Sequence, residues 1–431
     1  MDYPEVELLA IGAGPSNLAL AVAIEEMAPA DFARRCLVVE QHSDIVWQRG
    51  MLLPWAQSQV SFLKDLVTMR NPCSPFSFVN YLHKTGRLHD FINMSSFLPF
   101  RLEISAYLQW VAQSLSRVGV RYGQRCMRVD ALRSADGEIE RWLVELSDGS
   151  VVSARNLVVG VGRDPHVPAV FTSLDKAKVI HSVEYADRIG TLDHAAPLRI
   201  AVVGAAQSAA EMLWETHQRM PAAECTMIMR TVGLGYYQTS QFTNELYFPS
   251  FTDTFYAAPP EARQRVLAEM RRTNYAGVTP ELLHTIYRQV YLERLTGRQR
   301  LRMLPSVDIT AARMEADEVV LTLTPHMTGQ PVELRCDAVL LGTGFERRLP
   351  RLTQAIADLV GVERFLVSRA YRAMLPPQVR AGCYLQGTNE DSHGIADSLI
   401  SVLAIRAGEI VDDLLAAQPS EELLTSIPVP A

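Results

Sequence analysis

The chain has 431 residues, 48% of them hydrophobic and 21% charged, a balance that builds packed domains and argues against a disordered chain. Its formal net charge is −7, with no concentration of Lys and Arg, which excludes the basic footprint of a nucleic-acid binder or a polybasic membrane anchor.

The N-terminal residues pass directly into an apolar, strand-like segment, without the basic start, long apolar stretch and small-residue cleavage site of a secretory leader. No apolar run reaches bilayer length. Six cysteines (Cys36, Cys73, Cys126, Cys225, Cys336, Cys383) show no CxxC spacing, so no metal site is expected and the thiols read as reduced, in a cytoplasmic protein.

The first element is a βα opening, EVELLAIGAGPSNLALAVAIEEM. An apolar strand ends at Gly12-Ala13-Gly14, and an alanine-rich helix is predicted from about Ser16 to Met27. The same grammar returns about 190 residues later in RIAVVGAAQSAAEMLWETH, around Gly204. In such units the first glycine makes a tight turn, the second admits a pyrophosphate, and the helix N-terminus supplies N–H groups and dipole. The first copy, GAGPSN, carries Asn17 where a third glycine would stand. The second, GAAQSA, carries Ala206 where a close-approach glycine is expected, which predicts crowding of the pyrophosphate.

Each opening is followed by a second strand with a charge at its end. RRCLVVEQ ends in Glu40, 26 residues past Gly14; CTMIMRT ends in Arg230, 26 residues past Gly204. A carboxylate suits an unphosphorylated adenosine ribose, and a guanidinium suits a 2′-phosphate. The first site is therefore assigned to FAD and the second to NADPH. Taken singly, either charge also fits a solvated strand end; their matched spacing favours the paired role.

Between Arg230 and a third apolar strand, CDAVLLGTGFE, lies an aromatic and amide-rich loop. It precedes helical patterns from about Glu261 to Arg272 and from Pro280 to Leu295. The expected fold class is α/β: two doubly wound Rossmann-like dinucleotide-binding domains with a small helical substrate-binding insert. The expected limits are 1–165 and 336–431 for the FAD domain, 166–235 and 301–335 for the NADPH domain, and 236–300 for the insert.

The segments GAGPSNL, WQRGMLLPWAQSQVSFLKDL, SPFSFVNYL, FTNELYF, RTNYAG, GTGF and NEDSHGIADSLISVLAIRAGEI together resemble the flavin-dependent N-hydroxylating monooxygenases of hydroxamate siderophore biosynthesis. The resemblance runs nearly end to end. It implies NADPH reduction of FAD, a flavin C4a-hydroperoxide formed with O2, and transfer of one oxygen to the terminal amine of L-ornithine. L-lysine or a diamine are the alternatives, and a catalytically silent flavoprotein scaffold is the non-enzymatic one. The run FLKDLVTMRNPCSPFSFVNYLHKTGRLHDFIN resembles the ornithine branch.

The resemblance also implies residue roles. Lys64, in FLKDL, corresponds to the lysine that pairs with the amino-acid carboxylate. Asn244 and Asn274 correspond to amides binding the substrate's carboxylate and α-amine, and Ser401 to a serine lining the substrate pocket. Gln59 corresponds to a catalytic glutamine beside flavin and nicotinamide. Gly12, Gly14, Pro15, Asn17, Glu40, Trp47 and Leu399 fall at FAD-binding positions, and Gly204, Gln207, Ser208 and Arg230 at NADPH-binding ones. Gly277 departs from the family pattern, in which Val is frequent. Self-association is expected from relatives.

Without the resemblance, Lys64 reads as a snorkelling surface lysine and the two asparagines as turn or cap residues. His393, in a glycine-containing turn, reads as structural more readily than as a catalytic base.

Overall fold

The computed structural model describes residues 3–237, 240–275 and 277–417, with backbone alone for 272–274. Two sheets organise them. The first runs in the order β3-β2-β1-β6-β5-β4, with β17 also paired to β6. Its strands are β1 (Glu5–Ile11), β2 (Cys36–Val39), β3 (Gly119–Arg121), β4 (Cys126–Arg133), β5 (Ile139–Leu146), β6 (Val151–Val159) and β17 (Gly382–Leu385). The second runs β10-β9-β8-β14-β7, all parallel. It comprises β7 (Val179–His181), β8 (Arg199–Val203), β9 (Glu224–Ile228), β10 (Leu301–Leu304) and β14 (Ala338–Leu341). An antiparallel meander of β11 (Val307–Glu315), β12 (Glu318–Pro325) and β13 (Val332–Cys336) and a small pair, β15 (Leu366–Val367) with β16 (Ala373–Met374), complete the strands.

Central strands such as β1 and β8 are apolar on both faces because both faces are covered. In β1, Leu8 and Ala10 face a core shared with helices Pro15–Met27, Arg101–Ser114 and Leu403–Ala416, whereas Leu9 and Ile11 face a second core with Trp142 and Ile356. The same alternation splits β8. Ile200 and Val202 pack towards helix Gln207–Arg219, and Ala201 packs towards Val319, Leu321 and Leu323 of the meander.

The expected return to the first domain at residue 336 is corrected. β14 pairs with both β7 and β8, so the second sheet continues to Leu341 and the chain crosses back only afterwards. A run apolar on both faces announces a central strand but not which sheet receives it. The stretch 236–300 also divides. Helix Pro280–Thr296 buries Leu282, Ile286 and Val290 in the core of the second sheet, while Met270 of helix Pro260–Asn274 joins Tyr247, Ile395, Ala396 and Val402.

The two sheets are joined by buried polar contacts. Arg101 and Glu211 form a two-pronged ion pair, both hydrogen bonds 2.7 Å long, with side-chain exposures of 7% and 1%. Trp55 Nε1 donates to Glu215 over 2.7 Å. Gly50 lies so close to the 182–183 backbone that a Cβ there would fall 2.2 Å from the Val183 carbonyl carbon.

Candidate active site

Gly12 adopts φ +89, and a Cβ on it would lie 2.9 Å from the Gly160 oxygen, so both conformation and space demand glycine. The helix then starts at Pro15 with Gly14 as N-cap and no side-chain cap, leaving first-turn N–H groups to a ligand. Glu40, immediately after β2, accepts from Ala13 N (2.8 Å) and His42 N (3.0 Å). A cleft is lined by Ala13, Gly14, Pro15, Glu40 and Trp47 among others. Pro15 and Leu108 also line a neighbouring pocket that includes Ser58, Val60, Lys64 and Ile400. An anionic dinucleotide with an adenosine ribose fits this set: a ribose-binding carboxylate at one end, an uncapped helix terminus in the middle, a largely apolar chamber at the other.

Asn17 stands differently from the expected direct FAD contact. Its side chain is completely buried; Nδ2 donates to Ile11 O (3.0 Å) and Gly12 O (2.7 Å), and Oδ1 accepts from Gln386 Nε2 (2.8 Å). The amide fills the space beside Gly160, where a Cβ would lie 2.6 Å from it, and so braces the turn from behind. Ser16, one residue before, accepts from Arg406 Nη2 over 2.8 Å. Arg406 is in turn paired with Asp397 at 3.0 Å, both side chains fully buried. The C-terminal segment thereby fastens the first turn of the N-terminal helix.

In the second unit Gly204 has φ +137, and its Cβ position would lie 2.5 Å from the Gly342 oxygen. Ala206 is the N-cap of helix Gln207–Arg219, again without a side-chain cap, in extended backbone (φ −111, ψ −177) open to any L-residue, so its methyl group causes no backbone strain. Ser208 sits half-buried in the first turn and Arg230 is exposed just past β9. Gln207 instead serves the junction between domains: Nε2 donates to Glu211 and Oε1 accepts from Thr279 N, each over 2.8 Å.

Lys64 and Ser401 meet, Nζ to Oγ, at 3.3 Å. Lys64 is half-buried, and desolvation holds its ammonium below the ordinary lysine pKa. The neighbouring Asp65 lines the same chamber and is held by the N–H groups of Val67, Thr68 and Phe78, from which it accepts. Asn244 is exposed at the end of the short helix Gln241–Asn244; the turn Glu245–Tyr247 that follows packs Tyr247 onto Ile395, Ala396 and Val402, with Leu399 against the same cluster. The 395–402 loop thus carries Leu399 and Ser401 between Lys64 and the Asn244 segment. The side chain of Asn274 lies outside the described residues. Gln59, exposed between two cavity-lining residues, accepts from the Tyr237 hydroxyl at 2.8 Å.

His393 is buried and its ring stacks on Tyr371 with centroids 4.2 Å apart. Burial brings its pKa down to about 4, so it is neutral at neutral pH. Sequence reading passed over Arg101, Glu211, Arg406 and Tyr237. Arg406, an arginine inside the apolar run SVLAIRAGEI, carried the same signal as Lys64. The Arg101–Glu211 pairing, 110 residues apart, carried none.

The sequence pattern of the L-lysine 6-monooxygenase/L-ornithine 5-monooxygenase family matches residues 5–347. The chain belongs to this family. It is 37% identical over 416 residues to the L-ornithine N(5)-monooxygenase of Pseudomonas aeruginosa, covering 95% of this chain and 93% of that one. Among solved structures, the ornithine N-hydroxylase of Kutzneria sp. 744, with reduced FAD, NADP+ and L-ornithine, superposes with a TM-score of 0.89 at 33% identity, over 96% of this chain and 99% of the other. The L-lysine 6-monooxygenase of Pseudomonas syringae gives 0.84 at 31% identity, over 96% and 100%. Like those of the family, this chain is a monooxygenase with two dinucleotide-binding units. Among the described residues no helix is long and apolar enough to cross a membrane.

Proposed function

We propose that this chain is a cytoplasmic enzyme that converts L-ornithine, NADPH, O2 and a proton into N5-hydroxyornithine, NADP+ and water, with FAD bound at the first turn. The product would feed assembly of a hydroxamate siderophore or a related natural product. The observation that carries the reading is the Lys64 ammonium, half-buried beside Ser401 on the wall of the chamber next to Gly14 and Pro15.

Bound FAD, reduced by NADPH, supplies the activated oxygen. The chain's own residues do the rest. Glu40 is set to hold the adenosine ribose of FAD, and Arg230 the 2′-phosphate of NADPH. Lys64 meets the substrate carboxylate with Ser401 beside it, and Asn244 and Asn274 bind the same end of the molecule. Fixing that end sets how far the side-chain amine reaches. The amine must arrive unprotonated to act as a nucleophile. Its reference pKa resembles that of lysine, about 10.4, and transfer into a poorly hydrated chamber favours loss of the proton. Phe62, Phe78 and Ile104 give that chamber an apolar lining.

The Lys64 anchor also disfavours simple diamines, which have no carboxylate. Ornithine and lysine differ by one methylene, a discrimination of about 1–3 kcal/mol in an apolar site. The test supplies the FAD-loaded enzyme with NADPH, O2 and ornithine, lysine or putrescine in parallel, and reads product mass. Gain of one oxygen on ornithine in preference to the others supports the reading. Preference for lysine or putrescine, thioether turnover without an N-oxygenated product, or no anaerobic flavin reduction by saturating NADPH, overturns it.

A further inference from the structure

Tyr237 has no part in the chemistry described so far. Its hydroxyl donates to Oε1 of Gln59 over 2.8 Å, from 178 residues away. Burial pushes the phenol up to about 12, so at neutral pH it is a protonated donor. An amide side chain has one acceptor atom and one two-proton donor. With one lone pair of Oε1 engaged by Tyr237, the orientation of the amide is set and both N–H groups on Nε2 are left to offer a ligand.

Tyr237 is itself held. Tyr236 pairs with Val278 in a parallel bridge, and Val278 N donates to Gly235 O over 2.9 Å. Gly277 lies so close that a Cβ on it would be 2.5 Å from Tyr237 N and 2.6 Å from its Cα. One residue beyond Val278, Thr279 N donates to Gln207 Oε1, and Gln207 is the first residue of the second dinucleotide helix. A chain of direct contacts therefore runs from that helix, through Gly277–Thr279 and Tyr237, to the Gln59 loop beside the Lys64 chamber.

We propose that Tyr237 is a positioning residue, which fixes the Gln59 amide so that its nitrogen donates to acceptor atoms of the bound nicotinamide nucleotide. The proposal rests on the cofactor assignment above. Its chemical consequence is retention of NADP+, which shields the reacting site from water and keeps NADPH oxidation coupled to amine oxidation.

The test titrates NADP+ into the oxidised FAD-loaded enzyme, read by the flavin absorbance change, for the parent, Tyr237→Phe, Gln59→Ala, Gln59→Glu and the Tyr237→Phe/Gln59→Ala pair. Loss of one neutral hydrogen bond predicts that Tyr237→Phe weakens NADP+ binding about threefold to tenfold. The double variant is expected to bind no more weakly than Gln59→Ala alone, because Tyr237 acts only through Gln59. Gln59→Glu, which keeps an acceptor for Tyr237 but has no donor, is expected to match Gln59→Ala. In turnover, the fraction of NADPH ending as hydrogen peroxide rises in all four variants while FAD content and thermal midpoint of Tyr237→Phe stay at the parent value. Parent-like NADP+ binding by Tyr237→Phe beside a weakened Gln59→Ala overturns the positioning role, as does multiplication of the two effects. Parent-like binding by Gln59→Glu overturns the donor assignment. A parent enzyme that takes up FAD but no NADP+ overturns the cofactor reading beneath it.

Discussion

Lys64 Nζ and Ser401 Oγ lie 3.3 Å apart although 337 residues separate them in the chain. A lysine from the first domain's long excursion and a serine from the C-terminal loop thereby make one wall. Lys64→Ala is expected to raise the KM for ornithine roughly tenfold to a hundredfold, the worth of a hydrogen bond to a charged group. Flavin reduction by NADPH should be unchanged, because the hydrogen bond of Lys64 goes to Ser401 and not to either dinucleotide turn. Stopped-flow reduction and steady-state kinetics on the FAD-loaded variant check both halves; parallel loss of the two contradicts the assignment. Since burial lowers the Lys64 pKa, its grip on a carboxylate is present below that value and is lost as pH rises through it, earlier than for an exposed lysine.

Restoring the glycine pattern at position 17 should harm the protein. Asn17→Gly removes three hydrogen bonds and takes their side-chain partner from the Gly12 carbonyl and the Gln386 amide nitrogen, while Ile11 O keeps its bond from Gly160 N. The expected cost is about 1–3 kcal/mol with weaker retention of FAD. Thermal unfolding and FAD release on dilution measure it, and an unchanged or improved variant contradicts the bracing role.

The Arg101–Glu211 pair joins the two sheets with both side chains buried. Arg101→Ala or Glu211→Ala is expected to destabilise by about 3–5 kcal/mol, because each leaves an uncompensated buried charge. Arg101→Met with Glu211→Leu should recover most of that loss. Urea unfolding of the three variants decides; equal destabilisation of single and double variants would show that the charges themselves are needed.

His393 makes stability depend on pH. Its pKa is about 4 when folded against 6.5 for an unhindered imidazole. Between those values the unfolded chain binds a proton that the folded chain refuses, so stability rises with pH through the window. The penalty is absent above 6.5 and complete below 4, amounting to roughly 3 kcal/mol. His393→Phe, which keeps a ring against Tyr371, should show a flatter fall in urea midpoint between pH 7 and pH 5. An unchanged slope would assign the acid sensitivity elsewhere, for instance to His217, whose pKa burial also lowers.

Short-range rules reached far into this molecule. Turn glycines at 12 and 204, the helix from Pro15, the paired charges Glu40 and Arg230 and the apolar strands all follow from neighbours within one βα unit, where spacing along the chain equals spacing in space. Lys64 and Arg406 were also visible in principle, since a cation inside an apolar run announces a buried partner. Only the tertiary structure could name those partners. Ser401 for Lys64, Glu211 for Arg101, Tyr237 for Gln59 and the second sheet for Ala338–Leu341 are choices made by packing over more than a hundred residues. Periodicity records that a side chain is buried, but the identity of what it is buried against is settled by how the sheets close on each other, and no local pattern carries that.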